Sequence, residues 1–233
     1  MLRYEQECWA RGRSRIAGVD EAGRGPLAGP VVAAAFVFSR EAAETGFSGC
    51  LANLNDSKQL TESSRDHFFS ILTRIDGVQF GVGISTVAEI DRFNILQATY
   101  LAMRRAVEAL PVPPDHILVD GRPVLGLPVM STAIVKGDSL SFSIAAASVI
   151  AKVTRDHMMR ALAVRYPRYG FEKHKGYGTA QHIQALLEFG PVDAHRQTFR
   201  PVRDALGIRR RLRGECPDEG IQLEIVPVQE APR

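Results

Sequence analysis

The chain has 233 residues, 45% of them hydrophobic and 24% charged, a composition that excludes collagen-like, disordered and small disulfide-scaffold proteins. Its longest apolar run, residues 31–38, is far shorter than the ~20 residues of a membrane helix, so we expect no membrane contact. Three widely spaced cysteines without a CxxC pair argue against disulfides and structural zinc. With no secretory signal at Met1, we expect a cytoplasmic protein.

The net charge of +3 is unevenly distributed along the chain. Residues 214–233 hold five acidic residues and one basic residue, which leaves 28 basic and 21 acidic residues, a balance of +7, in residues 1–213. That balance suits a polyanionic partner without identifying it. The acidic, proline-containing segment 214–233 has few aromatic residues, and we expect it to be disordered.

Apolar periodicity predicts strands and helices in the order strand, strand, helix, strand, helix, strand, strand, helix, helix. The strands are predicted over residues 15–21, 31–38, 78–85, 117–119 and 129–135. The helices are predicted over residues 61–75, 95–110, 143–165 and 179–189. This order favours an α/β sandwich in which helices pack on a mixed sheet.

Acidic residues stand where three of the predicted strands end. Asp20 and Glu21 close the first strand before a glycine-rich turn, and Asp120 ends a short apolar strand. Asp138 lies between the fifth strand and the long helix. Open α/β sheets place their sites at this edge. Each acid also has a simpler structural interpretation. Asp20 and Glu21 could be a solvated pair, Asp120 could form an Asp-Gly turn, and Asp138 could be a helix N-cap.

Four carboxylates that converge repel one another and raise their own pKa values unless cations neutralise them. Two divalent ions would balance the four negative charges, and oxygen-only ligands suit Mg²⁺ or Mn²⁺. Two such ions, about 3.5–4 Å apart, activate water and stabilise the leaving oxygen of a phosphodiester. The six histidines are scattered, and we interpret most of them as surface residues.

Six segments, in the same order, resemble the motifs of bacterial ribonuclease HII, of the type 2 ribonuclease H family. They are GVDEAGRGPLAGPVV (18–32), LNDSKQLT (54–61), VDGR (119–122), KGD (136–138), SIAAASVIAKVTRD (143–156) and HKGYGT (174–179). The resemblance covers residues 15–206. The arginine in the turn 23–25 favours this family over ribonuclease HIII.

The resemblance implies a ribonuclease H-like fold: a mixed β-sheet flanked by helices, with a C-terminal helical extension. We expect an N-terminal extension over 1–14, a catalytic domain over 15–213 and the tail 214–233. The implied activity is endonucleolytic hydrolysis of the RNA strand of RNA–DNA hybrids. Such enzymes also cut 5′ of single ribonucleotides in duplex DNA, leaving 3′-hydroxyl and 5′-phosphate ends. The expected partner is an RNA–DNA hybrid or a DNA duplex that contains ribonucleotides. We expect the protein to act as a monomer.

The resemblance also implies roles for individual residues. The family's metal-binding and catalytic acids match Asp20, Glu21, Asp120 and Asp138, which would hold two Mn²⁺ or Mg²⁺ ions in the substrate complex. The turn that reads the ribose 2′-hydroxyl, largely through backbone groups, matches Gly23, Arg24 and Gly25. Tyr177 matches the tyrosine that packs on the next sugar. We expect Lys58 near a phosphate, with an ordinary surface lysine as the alternative.

Further basic residues are candidates for phosphate contacts or for an ordinary solvated surface. Those near the acids are Lys136, Lys152 and Arg155. Those near the end of the domain are Arg196, Arg200, Arg203, Arg209, Arg210, Arg211 and Arg213. In the tail, QLEIV (222–226) looks like a degraded sliding-clamp-binding peptide without its final aromatic residue; a featureless tail is the alternative.

Two other functions remain open from the sequence. Another ribonuclease H-like nuclease, such as a junction resolvase, would use the same acids on an all-DNA substrate. A non-catalytic nucleic-acid-binding module is disfavoured, because four acids facing a polyanion would weaken its binding.

Overall fold

The computed structural model describes residues 1–45, 54 and 60–212. Lys58, Arg213, the tail and its segment 222–226 lie outside the described residues, as do the side chains of 209–212. The strands are β1 (Ile16–Ala22), β2 (Val31–Phe38), β3 (Val78–Ser85), β4 (His116–Asp120) and β5 (Ser131–Ile134). The helices are α1 (Arg3–Ala10), α2 (Arg40–Thr45), α3 (Glu62–Leu72), α4 (Val87–Glu108), α5 (Gly137–Leu140), α6 (Phe142–Arg165), α7 (Phe171–His174), α8 (Ala180–Phe189) and α9 (Arg200–Leu212).

The five strands form one mixed sheet in the order β3-β2-β1-β4-β5. β1, β2 and β3 are antiparallel neighbours, whereas β1, β4 and β5 run parallel. In the parallel register Val19 pairs with Val119, so the next residues, Asp20 and Asp120, lie side by side on neighbouring strands, where β4 ends. The predicted mixed sheet with flanking helices is confirmed.

β2 lies between two layers of helix, and all eight of its residues are buried. Its odd-numbered residues, such as Val31 and Val37, pack in a core with α4. Its even-numbered residues, such as Phe36 and Phe38, pack against α6 and α3. An apolar run without alternation is what a strand covered on both faces requires, so the sequence prediction for residues 31–38 is confirmed.

Helix α6 approaches the sheet closely because its first turns carry small side chains. Its residues 142–151 are all buried. A Cβ atom at Gly18 of β1 would overlap the backbone of Ser143 and Ile144, so only glycine allows this approach. Glu5 of α1 fixes the same end of α6: its buried carboxylate accepts hydrogen bonds from the Ser141 hydroxyl at 2.6 Å and the Ser143 N–H at 2.9 Å.

Helix α4 begins eight residues before the predicted helix 95–110, because a capping box at Thr86 and Glu89 starts it. The helix is interrupted at Asn94, whose φ is 67°. The Asn94 side chain then accepts the N–H groups of Leu96 and Gln97, at 2.9 and 3.1 Å, and so caps a second helical segment. The sequence pattern therefore predicted this second segment alone.

The remaining predicted helices are confirmed with small shifts at their ends. Thr61 caps α3 and Thr179 caps α8, each accepting a backbone N–H three residues further on. Across the described ranges, no helix combines the length and the apolar composition that crossing a bilayer requires.

Replacing Gly18 by alanine tests the close contact between α6 and β1. The added methyl group meets backbone rather than a movable side chain, so we expect Gly18→Ala to lower the free energy of unfolding by about 1–3 kcal/mol. Gly207→Ala is the matched control, because nothing lies near its added methyl group on α9, and it should be neutral or stabilising. Equal denaturant midpoints for the two variants would contradict the close packing.

Candidate active site

Three carboxylates from different elements meet at the ends of the parallel strands. Asp20 is on β1, Asp120 ends β4, and Asp138 is on α5, directly after β5. One oxygen from each lies within 4.8 Å of the others. Asp20 and Asp138 are buried, at 3% and 5% exposure. The Gly137 N–H donates to Oδ1 of Asp120 at 2.7 Å, which ties α5 to the end of β4.

The cluster is electrostatically strained. Burial raises the pKa of Asp20 well above its usual value, and the negative charges of Glu21 and Asp120 raise it further. The Glu21 N–H, 2.6 Å from Oδ1 of Asp20, and the Ser148 hydroxyl oppose this rise only in part. Clustered carboxylate oxygens are the donors that hard divalent cations prefer, so this part of the chain could hold such an ion.

Glu21 is outside the three-carboxylate group, although it lines one cavity with Asp20 and Asp120. β1 continues through Ala22, so alternation along the strand turns Asp20 and Glu21 to opposite faces of the sheet. Arg24 donates to the Glu21 carboxylate at 3.2 Å. The expected convergence of four acids is therefore seen directly for three, with Glu21 at the rim.

The cavity measures about 240 Å³ and brings most of the predicted site residues together. Its lining includes Asp20, Glu21, Gly23, Arg24, Gly25, Asp120, Ser148, Lys152 and Tyr177. Tyr177 is 47% exposed, and a Cβ at Gly25 would lie 3.7 Å from its ring. Gly23 has a φ of +100°, a conformation that side chains other than glycine rarely adopt.

Two buried arginines hold the glycine-rich turn from behind. Arg196 donates to the carbonyl oxygens of Arg24 at 2.9 Å and of Gly29 at 3.0 Å, and also to that of Gly23. Arg155 donates to the carbonyl oxygens of Ala28 and Pro30 and, at 3.1 Å, to that of Lys175 beside the tyrosine loop. Burial and the neighbouring Arg155 charge lower the pKa of Arg196 to about 9, which leaves it protonated at neutral pH.

These contacts fix the direction of the peptide groups in the turn. The C=O and N–H of a trans peptide point in opposite directions. Because Arg196 binds the carbonyls of Gly23 and Arg24, the N–H groups of Arg24 and Gly25 point away from Arg196. The turn therefore presents backbone donors in a fixed orientation.

Several sequence-based interpretations of basic residues and histidines need correction. Arg155 and Arg196 were candidates for phosphate contacts, but they are 1% and 0% exposed and bind backbone carbonyls. Lys152 does line the cavity, where it donates to Asp156 at 2.7 Å. The histidines were interpreted mostly as surface residues, yet His182 and His195 are fully buried. Tertiary packing decides such positions, and no local pattern in the sequence marks them.

Solved structures establish the class of protein. The ribonuclease H2 of Pyrococcus horikoshii superposes with a TM-score of 0.68 and 28% identity, covering 84% of this chain and 99% of that one. Bst-RNase HIII, solved in complex with Mn²⁺, superposes with a TM-score of 0.65 and shares the fold at 21% identity. The fold and the acidic cluster define a nuclease of the ribonuclease H type.

Sequence comparison identifies the family within this class. The sequence model of ribonuclease HII matches residues 17–202. Ribonuclease HII of Geobacter sulfurreducens is 51% identical over 207 residues, which cover 89% of this chain and 92% of that protein. This chain belongs to the ribonuclease HII family, and it is an endonuclease that hydrolyses phosphodiesters. The motif resemblance is confirmed, and the non-catalytic binding module is excluded.

The strain in the acidic cluster predicts that removing the carboxylate of Asp20 stabilises the folded protein. Without divalent ions at neutral pH, Asp20→Asn should raise the Tm by a few degrees, because it replaces a carboxyl group whose ionisation is opposed by burial and by the charges of Glu21 and Asp120. Asp115→Asn is the matched control. Despite its partial burial, hydrogen bonds from Ser14 and Arg15 lower the pKa of Asp115, so its loss should decrease the Tm. Shifts of the same sign in thermal unfolding would contradict the assignment of strain.

Proposed function

We propose that this ribonuclease HII-type enzyme hydrolyses the RNA strand of RNA–DNA hybrids and cuts 5′ of single ribonucleotides in duplex DNA. The products would carry 3′-hydroxyl and 5′-phosphate ends. The observation that carries the proposal is a cavity in which Asp20 and Asp120 of the acidic cluster lie beside the turn 23–25 and Tyr177, with Asp138 completing the cluster next to it. One cavity thus combines groups suited to phosphodiester hydrolysis with groups suited to recognising a sugar.

Asp20, Asp120 and Asp138 would hold divalent cations, with Glu21 as a fourth ligand at the rim; we propose two Mn²⁺ or Mg²⁺ ions in the substrate complex. When bound, such ions supply water activation and stabilisation of the charge that develops on the phosphodiester. The chain's own contribution is a rigid set of oxygens. The Gly137 N–H orients Asp120, and the Ser148 hydroxyl orients Asp20.

Selection of the ribonucleotide would fall to the turn and the tyrosine. The 2′-hydroxyl alone distinguishes a ribonucleotide from its DNA counterpart, and it both donates and accepts hydrogen bonds. The N–H groups of Arg24 and Gly25 are suited to bind it, because Arg196 fixes their orientation. The exposed ring of Tyr177 would pack on the sugar of the following deoxynucleotide.

A cleavage assay tests the proposed substrate. A duplex with one ribonucleotide should be cut on its 5′ side, to 3′-hydroxyl and 5′-phosphate ends, while the all-DNA duplex of the same sequence stays intact. End groups are read by ligation and by phosphatase treatment of the products. Comparable cleavage of the all-DNA duplex would instead favour the DNA-specific nuclease considered from the sequence.

The proposed metal ligands can be tested by activity and by binding. Asp138→Asn should lower kcat more than about 100-fold, beyond what the loss of an outer-shell partner typically costs. In the wild-type protein, Mn²⁺ should raise the Tm by binding the folded state, and the variant should lose most of that rise. Asp76→Asn, an exposed acid between α3 and β3, is the control that should behave as wild type. An undiminished Mn²⁺-dependent Tm rise in Asp138→Asn would remove Asp138 from the metal site.

A further inference from the structure

Two buried histidines lie next to the loop that carries Tyr177, which joins α7 to α8 over residues 175–179. The Nε2 atoms of His182, on α8, and His195 are 3.0 Å apart. Nδ1 of His182 lies 2.9 Å from the Tyr177 carbonyl oxygen, and Nδ1 of His195 accepts the Val192 N–H at 3.0 Å. We call this chain of hydrogen bonds, from Val192 through both rings to Tyr177, the histidine relay.

The partners at the two ends of the relay fix every proton in it. Because Nδ1 of His195 accepts the Val192 N–H, a neutral His195 carries its proton on Nε2 and donates it to His182. His182 then accepts through Nε2 and carries its own proton on Nδ1. That proton is donated to the Tyr177 carbonyl, so the relay has a single direction.

The surroundings keep both rings neutral. Burial, reinforced by the adjacent His182, lowers the pKa of His195 to about 4. Burial also lowers the pKa of His182, on which the His174 ring stacks with centroids 4.5 Å apart. His174 disfavours a charge on either ring, and Asp193 opposes this only weakly at His195. Both rings are therefore neutral at neutral pH, and the relay is intact there.

Tyr177 depends on backbone contacts for its position. It stands between Gly176, whose φ is +86°, and Gly178. The Tyr177 N–H donates to the His174 carbonyl at 2.9 Å, and the Tyr177 carbonyl accepts the Thr179 N–H at 2.8 Å. Tyr177 is about half exposed. The His182 ring adds a second donor to the Tyr177 carbonyl, from inside α8, and so adds a side-chain contact to these backbone contacts.

The relay also joins Tyr177 to the turn 23–25. His195 is followed directly by Arg196, which binds the carbonyls of Gly23 and Arg24. His195 and Arg196, which are consecutive in the chain, therefore contact the two sides of the cavity. His195 acts on the Tyr177 side through His182, and Arg196 binds the turn 23–25 itself.

We propose that His182 and His195 are positioning residues for ribonucleotide selection, which hold the Tyr177 ring at a set distance from the turn. The inference rests on the proposed role of Tyr177 in packing on the substrate sugar. The histidines touch neither the substrate nor the acidic cluster; they act through the Tyr177 carbonyl.

Two amide substitutions distinguish the contact made by Nδ1 of His182 from the contact made by its Nε2. His182→Asn places an amide N–H near the former Nδ1 and keeps the donor to Tyr177. His182→Gln places its amide near the former Nε2, facing His195, and loses the Tyr177 contact. We expect the Asn variant to keep kcat/KM on the single-ribonucleotide duplex within about 3-fold of wild type, and the Gln variant to lose about 10-fold, because misplaced contacts impair orientation.

Coupling to Tyr177 distinguishes positioning from general destabilisation. In a Tyr177→Ala background, His182→Gln should cause less than about a 2-fold further loss, since the side chain that it positions is already gone. Equal losses for the Asn and Gln variants, or a full additional loss in the Tyr177→Ala background, would overturn the proposal. If His182→Gln does not fold, His195→Asn replaces it, because that change removes the donor that fixes the His182 proton; the same loss and the same coupling are expected.

Failure of this inference is distinguishable from failure of the proposed function. If wild type does not cleave the single-ribonucleotide duplex, the proposed function fails, and the relay proposal that rests on it fails as well. If wild type cleaves it and the Gln variant matches wild type, only the relay proposal is wrong. The Mn²⁺-dependent rise in Tm should be the same in both His182 variants, because the acidic cluster is untouched.

Discussion

Mutual repulsion among carboxylates in a partly buried site is the constraint on which this structure depends. Asp20, Asp120 and Asp138 gain nothing from one another in the absence of a cation, so the rest of the fold must hold them together. The parallel pairing of β1 with β4 sets two of them side by side, and α5 brings the third. The close packing of α6 on β1 then fixes the backbone that carries Asp20.

A second set of buried polar groups supports the cavity from the opposite side. Arg155 and Arg196 bind main-chain carbonyls and replace the hydrogen bonds that a regular strand would have provided to the segment 23–30. A guanidinium group suits this task because its planar donors bind several oxygens in a fixed geometry. An irregular turn therefore acquires the rigidity of regular secondary structure, as recognition of one hydroxyl group requires.

Local patterns made the five strands, four of the helices and the strand-end acids predictable from the sequence. The apolar run 31–38 and the glycine-flanked acids can be recognised from residues adjacent in sequence. The same is true of the motifs that identify the family. The role of Arg196 could not be predicted, because its partners are distant in sequence and arginine is usually found at the surface. The role of His195 could not be predicted either, because it depends on the packing of its ring against His182. The interruption at Asn94 was missed because its capping bonds break the helical period. The orientation of Glu21 depended on where β1 ends, which the glycine-rich sequence leaves open.

The parallel pairing of β1 with β4 also has a consequence for the order of folding. Ile16 pairs with His116, so this contact closes a loop of about 100 residues, whereas β1, β2 and β3 pair with nearer neighbours. Loop-closure entropy delays distant contacts relative to near ones. We therefore expect Asp20 and Asp120 to come together after the antiparallel half of the sheet has formed, so that their repulsion arises only once a scaffold exists to resist it.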